Sequence, residues 1–363
     1  MVARVRREGA ILLGKTNTPE FTLGGVAGID TSSNSLYGSS HNPYDLTLTT
    51  SGSSGGAAAI VAAGGSAFDI GSDLGGSIRL PAHVNGVAGL KTTAGRVPRS
   101  GHVVDYGGVL DLWQQVGPIA RRVEDLALIA AVISGPDYRD AACAPVPWND
   151  PRKVRIDRLR VAYFATADSF RPDDATQATI RSVAGWLGES AKVTEACPAE
   201  LFEALNVARG KLTMGDGWGW YRRLAGKWGT KNVSSEMAET IASTPQISTA
   251  EYVRVWEEAD EIKSKLLAWM GNYDVFICPV SKGPATPIDR IFDPAAGGGD
   301  SLNALGAFNS TGWPVAVVRC GTSADGRLPI GVQIAAAPWR EDVCLAVASH
   351  LEARSGGWRP PSI

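Results

Sequence analysis

The segments Gly52-Ser53-Ser54-Gly55-Gly56 and Gly71-Ser72-Asp73-Leu74-Gly75-Gly76-Ser77-Ile78-Arg79 constrain this chain more than any other feature. Each sets serines among glycines, and one short hydrophobic stretch separates them. Glycine lets a backbone turn several N–H groups toward one point with no Cβ in the way. Such a nest can hold a developing oxyanion. A serine hydroxyl is a weak nucleophile until a base takes its proton. A second serine nearby can pass that proton along, so the layout suits a buried serine nucleophile with a serine relay. Leu74-Gly75-Gly76-Ser77 stands at the start of a predicted helix, where unpaired N–H groups collect. Asp73 and Arg79 are close enough in sequence to pair across the loop and stiffen it. The residues alone also allow a phosphate-binding loop or a plain tight turn, although no Walker or Rossmann glycine pattern occurs. A rival reading sits in the same residues. Gly52-Ser53-Ser54-Gly55-Gly56 fits GxSxG, the nucleophile elbow of α/β-hydrolases, with Ser54 attacking and His350 as base. No HGGG-type oxyanion motif precedes it, and His350 falls within a regular helical pattern.

Bulk properties narrow the class. A length of 363 residues allows one large α/β domain or two ordinary ones. Glycine, at 42 residues, is in excess and clusters at 52–56, 71–76 and 297–299, which marks tight loops rather than low complexity. A net charge of −2 gives no electrostatic argument for nucleic acid or an anionic membrane. The five cysteines form no CxxC and the four histidines no HxxxH, so neither a zinc site nor a disulfide framework is indicated. Residues 1–10 lack the apolar core of a secretory signal, and Ala57–Phe68 is too short to span a bilayer. The expectation is a cytoplasmic protein with no stable membrane insertion.

Strand and helix patterns alternate, which is the mark of an α/β fold. Strands are expected at Ile11–Leu13, Ala67–Ile70, Arg158–Phe164, Asp274–Pro279, Val315–Arg319 and Ile330–Ile334. Helices are expected at Gly55–Ala63, Arg122–Ser134, 173–190, 199–212, Leu302–Asn309 and Glu341–Glu352. The clearest is 249–270, where Ser248 and Glu251 form a capping box ahead of the stripe Tyr252, Val255, Trp256, Ala259, Ile262, Leu266, Trp269. Trp218, Trp220, Tyr221 and Trp228 crowd together among basic residues, which reads as helix packing ahead of a substrate mouth or membrane patch.

The chain resembles the amidase signature family of serine hydrolases. The resemblance runs through GKTNTPEF (14–21), NPYD (42–45), SGSSGGAAAIVAAG (51–64), DIGSDLGGSIRLPA (69–82), GVAGLKTTAGRVP (86–98) and QQVGPIARRVEDLALI (114–129). It resumes at YDVFICPV (273–280) and closes with STGWPVAVV (310–318) and LPIGVQIAAAPWREDVCLAVASHLE (328–352). It implies a mixed central β-sheet surrounded by α-helices, in a single amidase domain over 1–363. The core signature would lie at 11–135, a variable substrate-funnel region at 140–270 and the C-terminal part of the core at 271–354. By the same resemblance, Ser77 matches the acylated nucleophile and Ser53 a bridging serine on a cis peptide. Leu74, Gly75, Gly76 and Ser77 match the oxyanion-hole amides, with Ser54, Ser72, Asp73 and Arg79 in support. The reaction implied is hydrolysis of a carboxylic amide of a small molecule through an acyl-enzyme, with no cofactor or metal.

The family's third relay member is a neutral lysine in a Lys-Asp segment upstream of the GKTN block, and this sequence has no counterpart to it. Lys15 and Lys91 match non-catalytic positions. The expectation is therefore an amidase lacking the family's N-terminal segment, impaired as it stands. The amidase subunit of a tRNA-dependent amidotransferase and a non-catalytic binding homologue are the alternatives. A homodimer is left open.

Overall fold

The structure, a computed structural model, describes residues 1–23, 32–102, 108–291 and 303–362. The glycine cluster at 297–299 lies outside them. Among the described residues an eight-stranded mixed sheet forms the centre. Its strands are β1 (Phe68–Asp73), β2 (Ala88–Lys91), β3 (Gln115–Ala120), β4 (Arg160–Tyr163), β5 (Lys192–Glu195), β6 (Val275–Pro279), β7 (Val315–Thr322) and β8 (Pro329–Ala335). They lie in the order β1-β3-β2-β7-β8-β6-β4-β5. Along that order every pairing from β1 to β6 is antiparallel, and β6-β4 and β4-β5 are parallel.

The central strands are apolar on both sides, as a sheet covered on two faces requires. Successive residues of β7 alternate between two cores. Val315 and Val317 face one, with Phe276 and Cys278 of β6. Ala316 and Val318 face the other, with Val275 and Ile277. Helices, here numbered in chain order as far as they are used below, cover the two faces. The first core is covered by α1 (Gly55–Ala62), α2 (Arg79–Val84), α5 (Ala199–Met214), α6 (Thr249–Met270) and α7 (Asn303–Ser310). The second is covered by α3 (Val123–Ile133), α4 (Asp174–Gly188) and α8 (Glu341–Ser355). The long helix α6 starts where its capping serine predicts. The Glu251 N–H donates to Ser248 Oγ at 3.1 Å, and Val255, Ala259, Ile262, Leu266 and Met270 form the buried stripe.

Trp218, Trp220 and Tyr221 are buried against that first core, so packing accounts for them, while Trp228 stays exposed. The strand expected at Ile11–Leu13 does not form. Its side chains are exposed, and among the described residues no strand pairs with it. Apolar composition alone does not make a strand without a partner for its N–H and C=O groups.

Candidate active site

The two serine loops meet because α1 and β1 form an antiparallel unit. The chain leaves the first loop into α1, turns at residues 63–67, and returns along β1 to the second loop. The start of α1 and the end of β1 therefore lie side by side. The Ser54 N–H donates to the Ser77 carbonyl at 3.1 Å, which ties the loops together one residue from Ser53. The Gly52–Ser53 peptide bond is cis, the form the resemblance implies at this position. Ser53 is buried and Ser77 is partly accessible.

Ser54 has a different setting from the one the elbow reading needs. Its hydroxyl lies 3.4 Å from both the N–H and the carbonyl of Ser72. A Cβ at Gly71 would come within 2.7 Å of that hydroxyl, which explains the glycine there. His350 is on α8, which packs on the opposite face of the sheet from α1. The sheet itself separates that histidine from Ser54.

A serine–histidine contact does exist at Ser281 and His83, 2.9 Å apart. The Gly331 N–H donates to His83 Nδ1 at 2.8 Å, so the ring proton sits on Nε2. That nitrogen faces the Gly283 carbonyl and Ser281 Oγ, both at 2.9 Å. A nitrogen that already carries its proton cannot take one from Ser281, and the contact is a structural latch.

The glycine nest is built around the carboxylate of Asp73. Its Oδ1 accepts from the Gly76 N–H at 2.8 Å, and its Oδ2 accepts from those of Ile78 at 3.1 Å and Arg79 at 3.3 Å. Gly76 has φ +113°, a conformation that L side chains rarely adopt. With Gly76 engaged, the amides of Leu74, Gly75 and Ser77 donate to no protein acceptor among the described residues. Three N–H groups in four consecutive residues are thus free for an anionic oxygen.

Asp73 and Arg79 pair as the sequence suggests, at 2.9 Å and with both side chains fully buried. Arg79 also donates to Gln333 Oε1 on β8, to the Leu305 carbonyl and to Asn309 Oδ1 on α7. Asn309 donates in turn to the Asp73 main chain at 2.8 Å and to Gln115 Oε1 on β3 at 3.0 Å. Burial pushes the Asp73 carboxyl up, but Arg79, with Lys91 and Asn309, more than offsets this and holds it well below the usual carboxylate range.

Sequence reasoning passes over several of these residues. Gln115, Asn309 and Gln333 lie in or beside the resembling blocks but carry no charge or motif of their own. Lys91 is fully buried, with its ammonium facing the carbonyls of Trp313 and Thr92 and Gln115 Oε1. Burial, reinforced by Arg79, lowers its pKa to about 7. Lys15, by contrast, is exposed. Arg209 of α5 reaches the nest and donates to the Leu74 carbonyl at 2.6 Å. Burial lowers its pKa to about 10, so it stays a cation at neutral pH. One arginine in an amphipathic helix gives no sequence signal of such a role. Among the described residues no group of three or more His, Cys, Asp or Glu is placed to hold a metal, and no helix is long and apolar enough to cross a membrane.

The sequence profile of the family described as Amidase matches residues 1–345. The indoleacetamide hydrolase of Bradyrhizobium japonicum is 31% identical over 379 residues, covering 98% of this chain and 76% of that protein. One subunit of the glutamyl-tRNA(Gln) amidotransferase of Deinococcus radiodurans is 32% identical over 376 residues, covering 96% of this chain and 76% of that protein. Among solved structures, a 6-aminohexanoate cyclic dimer hydrolase superposes with a TM-score of 0.81 at 28% identity, covering 99% of this chain and 79% of that one.

Proposed function

Since the chain belongs to the amidase family, we propose that it hydrolyses a carboxylic amide of a small molecule, with Ser77 as nucleophile and Ser53 as proton relay. The observation that carries this reading is the hydrogen bond from Ser54 N–H to the Ser77 carbonyl, which brings the two serine loops together beside three free amides. Ser77 Oγ attacks the carbonyl carbon as its proton passes to Ser53 Oγ and the proton Ser53 held passes on to a base. The oxygen of the tetrahedral intermediate gains negative charge and is held by the N–H groups of Leu74, Gly75 and Ser77. Gly76 contributes by holding the loop to Asp73. The C–N bond then breaks, Ser53 returns a proton to the departing amine, and water cleaves the acyl-enzyme by the same route in reverse order. We read residues 1–363 as one amidase domain in which 140–270 shapes the substrate funnel.

The relay needs a base beyond Ser53. Lys15 is exposed to solvent. Lys91 is already bound by three oxygen acceptors. We therefore propose that neither of these lysines is the base that serves Ser53. A cytoplasmic location fits five cysteines that are all unpaired.

The test is covalent labelling with a fluorophosphonate probe, mapped by mass spectrometry. Wild type should carry the label on Ser77, Ser77→Ala should lose it, and Ser54→Ala should keep it. Label on Ser54, or label that survives Ser77→Ala, sinks the assignment. Ammonia release from glutamine only with a co-purifying partner would instead identify an amidotransferase subunit. A folded chain that never labels would point to a binding homologue.

A further inference from the structure

The guanidinium of Arg209 is wedged against the outer side of the nest. Its Nη2 donates to the Leu74 carbonyl at 2.6 Å, and the Cβ that Gly75 lacks would lie 3.3 Å from the same nitrogen. Its Cζ sits 5.7 Å from the ring centroid of Trp113. Trp113, Leu205, Leu212, Trp256, Ala259 and Ser310 line the narrow cleft around it. A guanidinium spending a charge-assisted hydrogen bond on one peptide oxygen needs a reason. That oxygen belongs to the peptide whose nitrogen is Gly75 N, one of the three free amides of the nest.

We propose that Arg209 is a positioning residue for the oxyanion nest: it fixes the plane of the Leu74–Gly75 peptide and polarises it, so that Gly75 N–H becomes a stronger donor to the substrate oxyanion. The inference rests on the reading of Ser77 as nucleophile. A hydrogen bond accepted at a peptide oxygen strengthens the donor at the same peptide's nitrogen. The charge balance points the same way. The charged groups that act on Arg209 are Asp73 from β1 and Arg79 from α2, Lys91 from β2 acts on Asp73, and Lys263 from α6 lines the same cleft, so one carboxylate meets several cations.

The experiment uses a trifluoromethyl ketone, which forms a hemiketal with the nucleophilic serine, followed by fluorine NMR. The pH at which the hemiketal hydroxyl ionises reports oxyanion stabilisation without any turnover. Arg209→Gln should bind the ketone about tenfold more weakly and raise that ionisation by about one pH unit. Arg209→Lys, which keeps the charge, should lose less. Unchanged ketone affinity and ionisation in Arg209→Gln would overturn the proposal. So would equal losses in both variants accompanied by a fall in Tm of the free protein, which would mark a structural role. If Arg209→Gln fails to fold, Arg209→Lys decides: a raised ionisation at wild-type Tm supports the proposal, and an unshifted one overturns it. Wild-type protein that forms no adduct on Ser77 would instead refute the reading of the nucleophile.

Discussion

Replacing Asp73 by asparagine removes one negative charge from a site with no access to water. Arg79 then stands fully buried with its counter-ion gone. Breaking a buried pair by neutralising one partner costs about 3–5 kcal/mol, because the remaining charge is left uncompensated. Here the lower end is expected. Arg79 keeps Gln333, Asn309 and the Leu305 carbonyl as acceptors, and the amide oxygen of the introduced side chain can still accept from one N–H of the nest. At about 2.1 cal/mol/K of unfolding entropy per residue, a cooperative unit of this size loses roughly 4–7 °C in Tm for that energy. Calorimetry on Asp73→Asn, Arg79→Met and the double variant would test it. The double variant should be less damaged than the sum of the singles by at least about 1 kcal/mol, since it leaves neither charge stranded. The pH dependence has a definite sign. Asp73 titrates lower in the folded chain than in the unfolded one, so its contribution is present above the unfolded pKa of about 3.9 and fades as pH falls below it. The difference between wild type and Asp73→Asn should be flat above about pH 5 and close in acid. A variant within 1 °C of wild type, or additive singles, would refute the reasoning.

Lys91 gives the opposite slope. Its folded pKa of about 7 lies below its ordinary value, so stability should climb with pH between about 7 and 10.5, and Lys91→Met should flatten that rise in urea titrations across the range. Gly76→Ala places a Cβ at φ +113° and 3.1 Å from Leu80 Cδ1. It should lower stability by more than about 1 kcal/mol and slow fluorophosphonate labelling at least tenfold. Unchanged labelling by that variant would show that the loop tolerates a shift and that the nest is not the oxyanion site.

The serine loops, the Asp73–Arg79 pair and helix α6 were legible because each is a local pattern. Glycine spacing, a capping serine and an apolar stripe are set by residues within a few positions of one another. The short strands β2 and β3 were not legible as strands. They are buried on both faces, so their sequences show no alternation to read.

What the sequence determined by itself is the chemistry on offer: two serines, a flexible nest between them, and a carboxylate and a guanidinium to brace it. The tertiary structure decided which of those groups are free to act. It engaged the amide of Gly76 and left three others open, hid Lys91 among carbonyls, set the sheet between Ser54 and His350, and brought Arg209 across from another region of the chain. A buried charge must find acceptors wherever the fold delivers them, and Arg79 finds one at Gln333, 254 positions away. No local pattern encodes a partner at that distance. It exists only once α2 and β8 are packed together.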